Sequence, residues 1–144
     1  MPYSSATVCG NILKAIFRTA HTSDFPSTYY VALFDGDPEA GGVEPDSTGG
    51  YARLAVANTN AEFTISGDTV TNVNDWVWPT SSAGYQTGHQ TLSHWALYDN
   101  SSGGSRILSG RIAPGGTIGT IVVNGSGLVP KILAGQWSWK QKAA

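Results

Sequence analysis

Charged residues are scarce in this chain of 144 residues. Asp, Glu, Lys and Arg make up 12% of it, against about 25% in typical soluble domains. The formal net charge is −2. No cluster of basic residues stands out, so we expect no binding to nucleic acid. The surface must therefore consist largely of Ser, Thr, Asn and Gly, which suits packing in a large assembly.

Long apolar runs and cysteine pairs are also missing. No apolar run approaches the roughly 20 residues that a membrane-spanning helix needs, so we expect no membrane contact. Asn11, Lys14 and Arg18 interrupt the apolar stretch near the N-terminus, which argues against a secretion signal. Cys9 is the only cysteine, so no disulfide can form within the chain.

One helical pattern is present, over residues 5–20. Its apolar residues fall at i, i+3, i+4, i+7 and i+8, which is one face of a helix: Cys9, Ile12, Leu13, Ile16 and Phe17. Ser4 or Ser5 is placed to cap its start. This apolar face requires a partner surface, which is either the domain's own sheet or a neighbouring subunit. We therefore predict an N-terminal helical segment within residues 1–22.

Short strand patterns follow, separated by Gly- and Pro-rich turns. Residues 28–35 are apolar on both faces, as in a central strand. Further strand patterns occupy residues 51–57, 63–65, 76–78, 92–99, 106–112, 117–124 and 135–140. The sequence thus predicts a mostly β chain, an antiparallel β-sandwich or jelly roll over residues 28–140 with one N-terminal α-helix. No internal repeat or sharp change of composition divides the chain, so residues 1–144 are predicted to be one domain.

Residues suited to catalysis form no recognisable pattern. His21, His89 and His94 are the only histidines. His94 and Asp99 are five residues apart and point to opposite faces of a strand, so they cannot pair locally. No serine lies in a nucleophile-elbow sequence, although a triad assembled from distant strands stays open. Cys9 lies on the apolar helical face and reads as a buried small side chain. We expect no enzyme and no catalytic residue.

Metal and cofactor sites are not expected either. Five acidic residues crowd one segment: Asp35, Asp37, Glu39, Glu44 and Asp46. Calcium favours clustered oxygen ligands, but this spacing matches no EF-hand, so a solvated loop is the preferred interpretation. The three histidines and one cysteine lack zinc-ligand spacing. Gly115-Gly116 and residues 125–127 are not followed by the Lys-Ser/Thr of a phosphate loop and are interpreted as turns.

Five tryptophans stand out in a chain of this size. Trp76 and Trp78 share one strand face, as do Trp137 and Trp139, and Trp95 lies on an alternating strand. Core packing is the preferred interpretation of all five. Exposure on an outer face is the alternative, and such a pair would mark a contact surface.

Several short strings resemble a family of small phage structural proteins, described as tail-fibre or capsid-decoration proteins. They are YVALFDGDP (residues 30–38), GGYAR (49–53), LSHWALYD (92–99), SGG (102–104), ILSGRI (107–112) and AGQW (134–137). Their order and spacing extend the resemblance over residues 28–139. Two features depart from the family pattern, namely the long loop between Pro79 and Thr91 and the bulky Trp137 and Trp139.

The resemblance implies a β-sandwich that binds other virion subunits, acts as an oligomer and catalyses nothing. Our first expectation is a capsid decoration (cement) protein, made in the host cytoplasm and bound to the outer surface of the head. Its partners would be the major capsid protein and copies of itself in a homotrimer. Weak contacts to several subunits at once would sum to strong attachment and stabilise the shell.

Two alternatives remain. The chain can instead be a tail-fibre or receptor-binding module, in which an aromatic loop such as residues 85–89 contacts host-surface glycans. A third class is a carbohydrate-binding module or an accessory domain of an enzyme. Binding to expanded capsids would distinguish the first expectation, and quenching of tryptophan fluorescence by oligosaccharides would favour either alternative.

Overall fold

The computed structural model describes residues 12–17 and 25–141. Residues 12–16 are helical, within the predicted helix. Leu13 and Phe17 are fully buried in the main core, whereas Ile12 is 39% exposed. Leu13 and Phe17 of the predicted apolar face therefore pack against the domain's own sheets, whereas Ile12 of the same face lies at the surface. The predicted caps, Ser4 or Ser5, and the position of Cys9 lie outside the described residues.

The remainder of the described chain is built from short strands, as predicted. In chain order they are β1 (Thr28–Phe34), β2 (Leu54–Ala57), β3 (Phe63–Ser66), β4 (Thr69–Asn72), β5 (Trp76–Val77), β6 (Thr91–Leu92), β7 (His94–Tyr98), β8 (Arg106–Arg111), β9 (Ile121–Val122), β10 (Lys131–Ile132) and β11 (Ser138–Lys140). Two 3₁₀ turns, Thr48–Gly50 and Pro114–Gly116, lie between them. No helix among the described residues is long and apolar enough to cross a membrane.

The strands pair antiparallel throughout the described chain. The largest sheet has the order β2-β1-β7-β8, and a second sheet has the order β11-β4-β3. Two short ribbons, β10-β5 and β6-β9, complete the arrangement. The predicted fold class, mostly β with antiparallel sheets as in a β-sandwich, is confirmed.

The core lies on one face of the large sheet. Alternate residues of β1, namely Tyr29, Val31 and Leu33, point into it, and all three are fully buried. Around Trp137 the ring centres of Phe17, Phe63, Trp76 and Trp95 lie within 6.0 Å. Aromatic pairs at these distances add about 0.5–1.5 kcal/mol each beyond the buried area.

The prediction that the tryptophans pack in the core is confirmed for four of the five. Trp76, Trp78, Trp95 and Trp137 are each at most 2% exposed. Trp139 is half-buried and packs against the same cluster. No pair of tryptophans is therefore exposed on an outer face as a contact surface.

The opposite face of the large sheet is also covered. Ala32, Phe34 and Ala96 form a small second core there, with Tyr98 half-buried beside it. The chain leaving β1 folds back over this face, and Asp35 and Val43 exchange backbone hydrogen bonds of 2.8 and 2.9 Å. This explains why residues 28–35 are apolar on both faces. The folded-back segment also carries the acidic residues singled out above.

Several strand limits differ from the prediction. Only Ile121–Val122 forms a strand within the predicted 117–124, because this stretch pairs with no more than the two residues of β6. The strand β10 was not predicted, since Lys131–Ile132 is too short to show a period of two. The spacing of Val70 and Val73 does not alternate, so the sequence predicts no definite element there; the structure forms β4, with Val70 and Asn72 buried.

Candidate functional site

A polar cleft of about 420 Å³ opens on the covered outer face of the large sheet. One wall is the segment that leads into β2, and the other is the turn that joins β7 to β8. We call it the 44–53 cleft; its lining is Glu44, Pro45, Asp46, Ser47, Tyr51, Ala52, Arg53 and Ser101–Gly103. The volume falls within the range of about 300–1,000 Å³ that small-molecule sites occupy.

Tyr51 anchors the first wall to the sheet. Its hydroxyl accepts a hydrogen bond from the backbone N–H of Leu33 at 3.0 Å and donates to Oε1 of Glu44 at 2.9 Å. Leu33 lies beyond the last β1–β2 pair, Val31 with Leu54, so the tyrosine takes the place of a strand partner. Burial, assisted by the nearby carboxylate, raises the pKa of Tyr51 far above its usual value. The hydroxyl therefore stays protonated and keeps donating to Glu44.

Arg53 joins the two walls. Its Nε and Nη2 donate to the two carboxylate oxygens of Glu44, each at 2.8 Å. Its Nη1 donates to the carbonyls of Asn100 and Gly103 at 2.9 and 2.7 Å. The hydrogen bonds to Glu44 raise the pKa of Arg53. With its side chain only 8% exposed, Arg53 acts as a fixed brace rather than a mobile surface cation.

An aromatic pair supports this brace from below. The guanidinium carbon of Arg53 lies 3.7 Å from the centre of the Tyr98 ring. Tyr98 in turn stacks on Phe34, with ring centres 6.4 Å apart and planes inclined by 16°. A cation above an aromatic face is attracted by about 0.5–2 kcal/mol, depending on solvent access.

Gly49 fixes how closely the first wall approaches the loop after Pro79. A Cβ atom at this position would lie 1.7 Å from the carbonyl oxygen of Gly84. The backbone of Gly49 also has a φ of +76°, a region that favours glycine. Both the space and the conformation therefore require glycine at this point of the GGYAR string.

Asp46 is the exposed carboxylate of the cleft. Its Oδ1 accepts the N–H of Thr48 at 2.8 Å, and its own N–H donates to Oε1 of Gln86 at 3.0 Å. The hydrogen bonds from Thr48 lower the pKa of Asp46, so it is ionised at neutral pH. Because Arg53 neutralises Glu44, the charged lining groups leave one net negative charge, on Asp46.

The acidic segment is dispersed among separate partners. Asp35 pairs with His89, Glu39 with Arg106 and Glu44 with Arg53. Asp37 accepts the N–H of Glu39 at 2.9 Å. Among residues 12–17 and 25–141, no group of three His, Cys, Asp or Glu side chains is placed to hold a metal ion.

The histidines lie in two contacts that sequence reasoning missed. Nδ1 of His89 lies 3.1 Å from Oδ2 of Asp35, across 54 residues of sequence. Nδ1 of His94 lies 2.8 Å from Oγ of its neighbour Ser93. Neither contact is visible in the spacing, because one is long-range and the other depends on side-chain rotamers. His21 lies outside the described residues.

The Ser93–His94 contact lacks the third group of a triad in the described part of the chain. No carboxylate there hydrogen-bonds His94, and Oγ of Ser93 also accepts the N–H of Gly36 at 3.2 Å. As predicted, Asp99 does not pair with His94; it accepts the N–H of Ser105 at 2.7 Å. Burial lowers the pKa of His94. A serine nucleophile requires a base that is itself oriented by a further group.

The loop of residues 85–89 does not present its aromatic ring. Tyr85 is only 1% exposed, and its hydroxyl donates to the carbonyl of Pro79 at 2.7 Å. Burial raises the pKa of Tyr85 to about 12. The aromatic ring of this loop is therefore not placed to contact glycans, because Tyr85 packs edge-on against Tyr51.

One comparison with known proteins gives a match. The family model described as Podophage GP4 fiber I protein gp80 matches residues 4–125, which is most of the chain. No curated protein matches it. The matched range contains the whole 44–53 cleft. It also contains GGYAR, which supplies Tyr51, Ala52 and Arg53 to the lining, and the strings LSHWALYD and YVALFDGDP, whose Tyr98 and Phe34 stack beneath Arg53.

Proposed function

The chain belongs to the family described as Podophage GP4 fiber I protein gp80, and we propose that it is a tail-fibre module that contacts host-surface glycans. It is therefore a phage virion structural protein, as its resemblance indicated. The single observation that carries the proposal is the family match over residues 4–125. Placement at the tail and contact with the host are the parts that we propose.

The expectation of a capsid decoration protein is wrong. The matching family is one of fibre proteins, which favours the tail-fibre alternative over attachment to the head. The physical reason for the error is that low charge and a compact β fold are shared by virion subunits that work by contact. Composition could therefore identify the class of protein, but it could not distinguish the head from the tail.

The surface of the protein suits a function that depends on binding rather than on catalysis. Four of the five tryptophans lie in the core, and only 12% of the chain is charged, so its contacts depend on uncharged side chains. The 44–53 cleft combines carboxylate, guanidinium and hydroxyl groups on a rigid support. Sites that bind through preformed polar groups lose little conformational entropy on binding.

We propose that this contact involves no catalysis. Among the described residues, the arrangement nearest to a catalytic pair is Ser93 with His94. These two are neighbours in sequence, and the serine oxygen already accepts a backbone N–H. A hydrolytic alternative would predict turnover that is lost in Ser93→Ala. The proposal predicts no release of sugar from host polysaccharide by the wild-type protein.

Self-association is a further part of the proposal. A fibre assembled around an axis is built from copies of one chain, and we propose a homotrimer. Light scattering on the purified protein tests this directly. A molar mass close to three times 15.1 kDa is expected, and a mass that stays at one chain at high concentration would contradict it.

Locating the chain in an intact particle tests the fibre assignment. We expect density that fits the β2-β1-β7-β8 sheet to lie in the tail-associated fibres. A fit on the outer surface of the head, with none in the fibres, would overturn the proposal.

A further inference from the structure

We propose that the 44–53 cleft binds an uncharged sugar unit of a host-surface glycan. This inference rests on the proposed function, since it assigns the glycan contact to a defined site. It also specifies the chemical class of the ligand. The argument has three steps, which concern the rigidity of the cleft, its hydrogen-bonding groups and its charge.

The cleft is held open before any ligand arrives. Arg53 bonds Glu44 in one wall and the carbonyls of Asn100 and Gly103 in the other. Tyr51 ties the same carboxylate to the sheet through Leu33. The separation of the two walls is therefore set by side chains that are mostly buried. A site fixed in this way avoids the cost of ordering loops on binding.

The free groups of the cleft suit a ligand that carries many hydroxyls. The exposed carboxylate of Asp46 accepts hydrogen bonds, and the exposed hydroxyls of Ser47 and Ser102 both donate and accept. The hydroxyl of Ser101 donates to Oδ1 of Asn100 at 3.4 Å and can still accept. Arg53 uses four of its five N–H groups, which leaves one on Nη2 without an acceptor among the described residues. A sugar supplies donors for the carboxylate and acceptors for the guanidinium together.

Charge selects among sugars. The guanidinium of Arg53 is already occupied by the Glu44 carboxylate, with both oxygens engaged. The uncompensated charge of the lining is the carboxylate of Asp46. An anionic sugar, such as a uronic or sialic acid, would face this carboxylate and be repelled. The cleft therefore favours neutral hexoses over acidic sugars.

Binding of methyl glycosides to the full chain, followed by NMR, tests the inference. Neutral methyl hexosides should shift the backbone signals of residues 44–53 and 101–103 in a saturable manner. Methyl glucuronide and sialic acid should bind at least about tenfold more weakly.

Two variants probe the site without removing its support. Asp46→Asn keeps an oxygen for the N–H of Thr48 but loses the charge, and it should weaken hexoside binding by about ten- to a hundredfold. Ala52→Phe fills the cleft from an exposed wall and should abolish binding. Glu62→Gln, which makes the same change of charge outside the cleft, should bind like the wild type. Thermal unfolding of each variant checks that it is folded.

The outcomes separate the site from the function. If Asp46→Asn and Ala52→Phe bind hexosides as the wild type does, the cleft is not the binding site, but the proposed contact with glycans still stands. Stronger binding of the acidic sugars would overturn the ligand class. If the NMR signals of residues 101–103 shift with protein concentration and not with added sugar, the cleft is a contact between copies of the chain. That result would overturn the assignment of the cleft as a sugar site. No saturable binding to any glycan would overturn both this inference and the proposed host contact.

Discussion

The guanidinium carbon of Arg53 lies 3.7 Å above the ring centre of Tyr98. These residues belong to two of the strings on which the family resemblance rests, GGYAR and LSHWALYD. Phe34, which stacks beneath Tyr98, belongs to a third, YVALFDGDP. Strings separated by tens of residues thus meet on one face of the large sheet. GGYAR supplies part of one wall of the 44–53 cleft, and the other two strings supply the aromatic pair that supports Arg53.

Replacement of Arg53 tests the brace. Arg53→Lys loses the two parallel bonds to Glu44 and leaves this carboxylate, which is 21% exposed, poorly compensated. We expect the free energy of unfolding to fall by about 2–4 kcal/mol, measured by urea denaturation. Arg106→Lys is the matched control, because Arg106 forms a similar 2.8 Å pair with Glu39 at the surface. Arg106→Lys should lower the free energy of unfolding by less than about 1 kcal/mol. Equal losses in the two variants would contradict the proposal that Arg53 holds the two walls together.

Two glycines with similar backbone conformations test the close approach beneath the cleft. Gly49 and Gly41 have φ of +76° and +85°, but only Gly49 has a neighbour in the way, the Gly84 carbonyl. Gly41→Ala should cost about 1 kcal/mol of backbone strain. Gly49→Ala should cost about 2–3 kcal/mol more, because the loop must move. Chemical denaturation of both variants measures the difference, and indistinguishable midpoints would argue against the packing described.

The buried indoles of β5 and its neighbour offer a contrast in hydrogen bonding. Nε1 of Trp78 donates to the carbonyl of Val31 at 3.1 Å. Nε1 of Trp76 is equally buried and has no acceptor among the described residues. Trp78→Phe should therefore destabilise the protein by roughly 2 kcal/mol more than Trp76→Phe, in which an unpaired N–H is removed. Calorimetry that ranks the two in the opposite order would refute this difference.

Acidification tests the environment of His94. Burial lowers its pKa below the ordinary value of 6.5, so the folded protein binds this proton less readily than the unfolded chain. The contribution of His94 to the free energy of unfolding is therefore fully present above pH 6.5, the ordinary pKa, and it declines as the pH falls below 6.5. The decline is at most about 1.4 kcal/mol per pH unit. We expect melting temperatures to fall between pH 7 and 5.5, and less steeply in His94→Gln. Parallel pH profiles would contradict this assignment.

Alternation in sequence anticipated the core. Trp76 with Trp78, and Trp95 with Leu97, share buried faces because strand side chains alternate regardless of distant contacts. The strand β1 was predicted from the opposite signal, a run that is apolar on both faces as in a central strand. The period of 3.6 residues likewise anticipated the helical turn at residues 12–16 and the burial of Leu13 and Phe17, but it could not tell which surface Ile12 faces.

The cleft itself was not predictable from periodicity. Its brace joins Arg53 to Glu44 and Asn100, which lie 9 and 47 residues away. Such contacts depend on how the segment after β1 folds back, and that path is set by tertiary packing rather than by local pattern. The unusual density of Gly, Asp and Glu between β1 and β2 was the available signal. It was interpreted as a solvated loop, whereas Glu44 is tied to the sheet through the hydroxyl of Tyr51.

Competition for the host surface tests the central claim most directly. Host cells are incubated with purified protein before phage are added, and the rate of adsorption is measured. The account predicts that saturating wild-type protein slows adsorption, whereas Asp46→Asn and Ala52→Phe do so much less. An adsorption rate unchanged by saturating wild-type protein would contradict it.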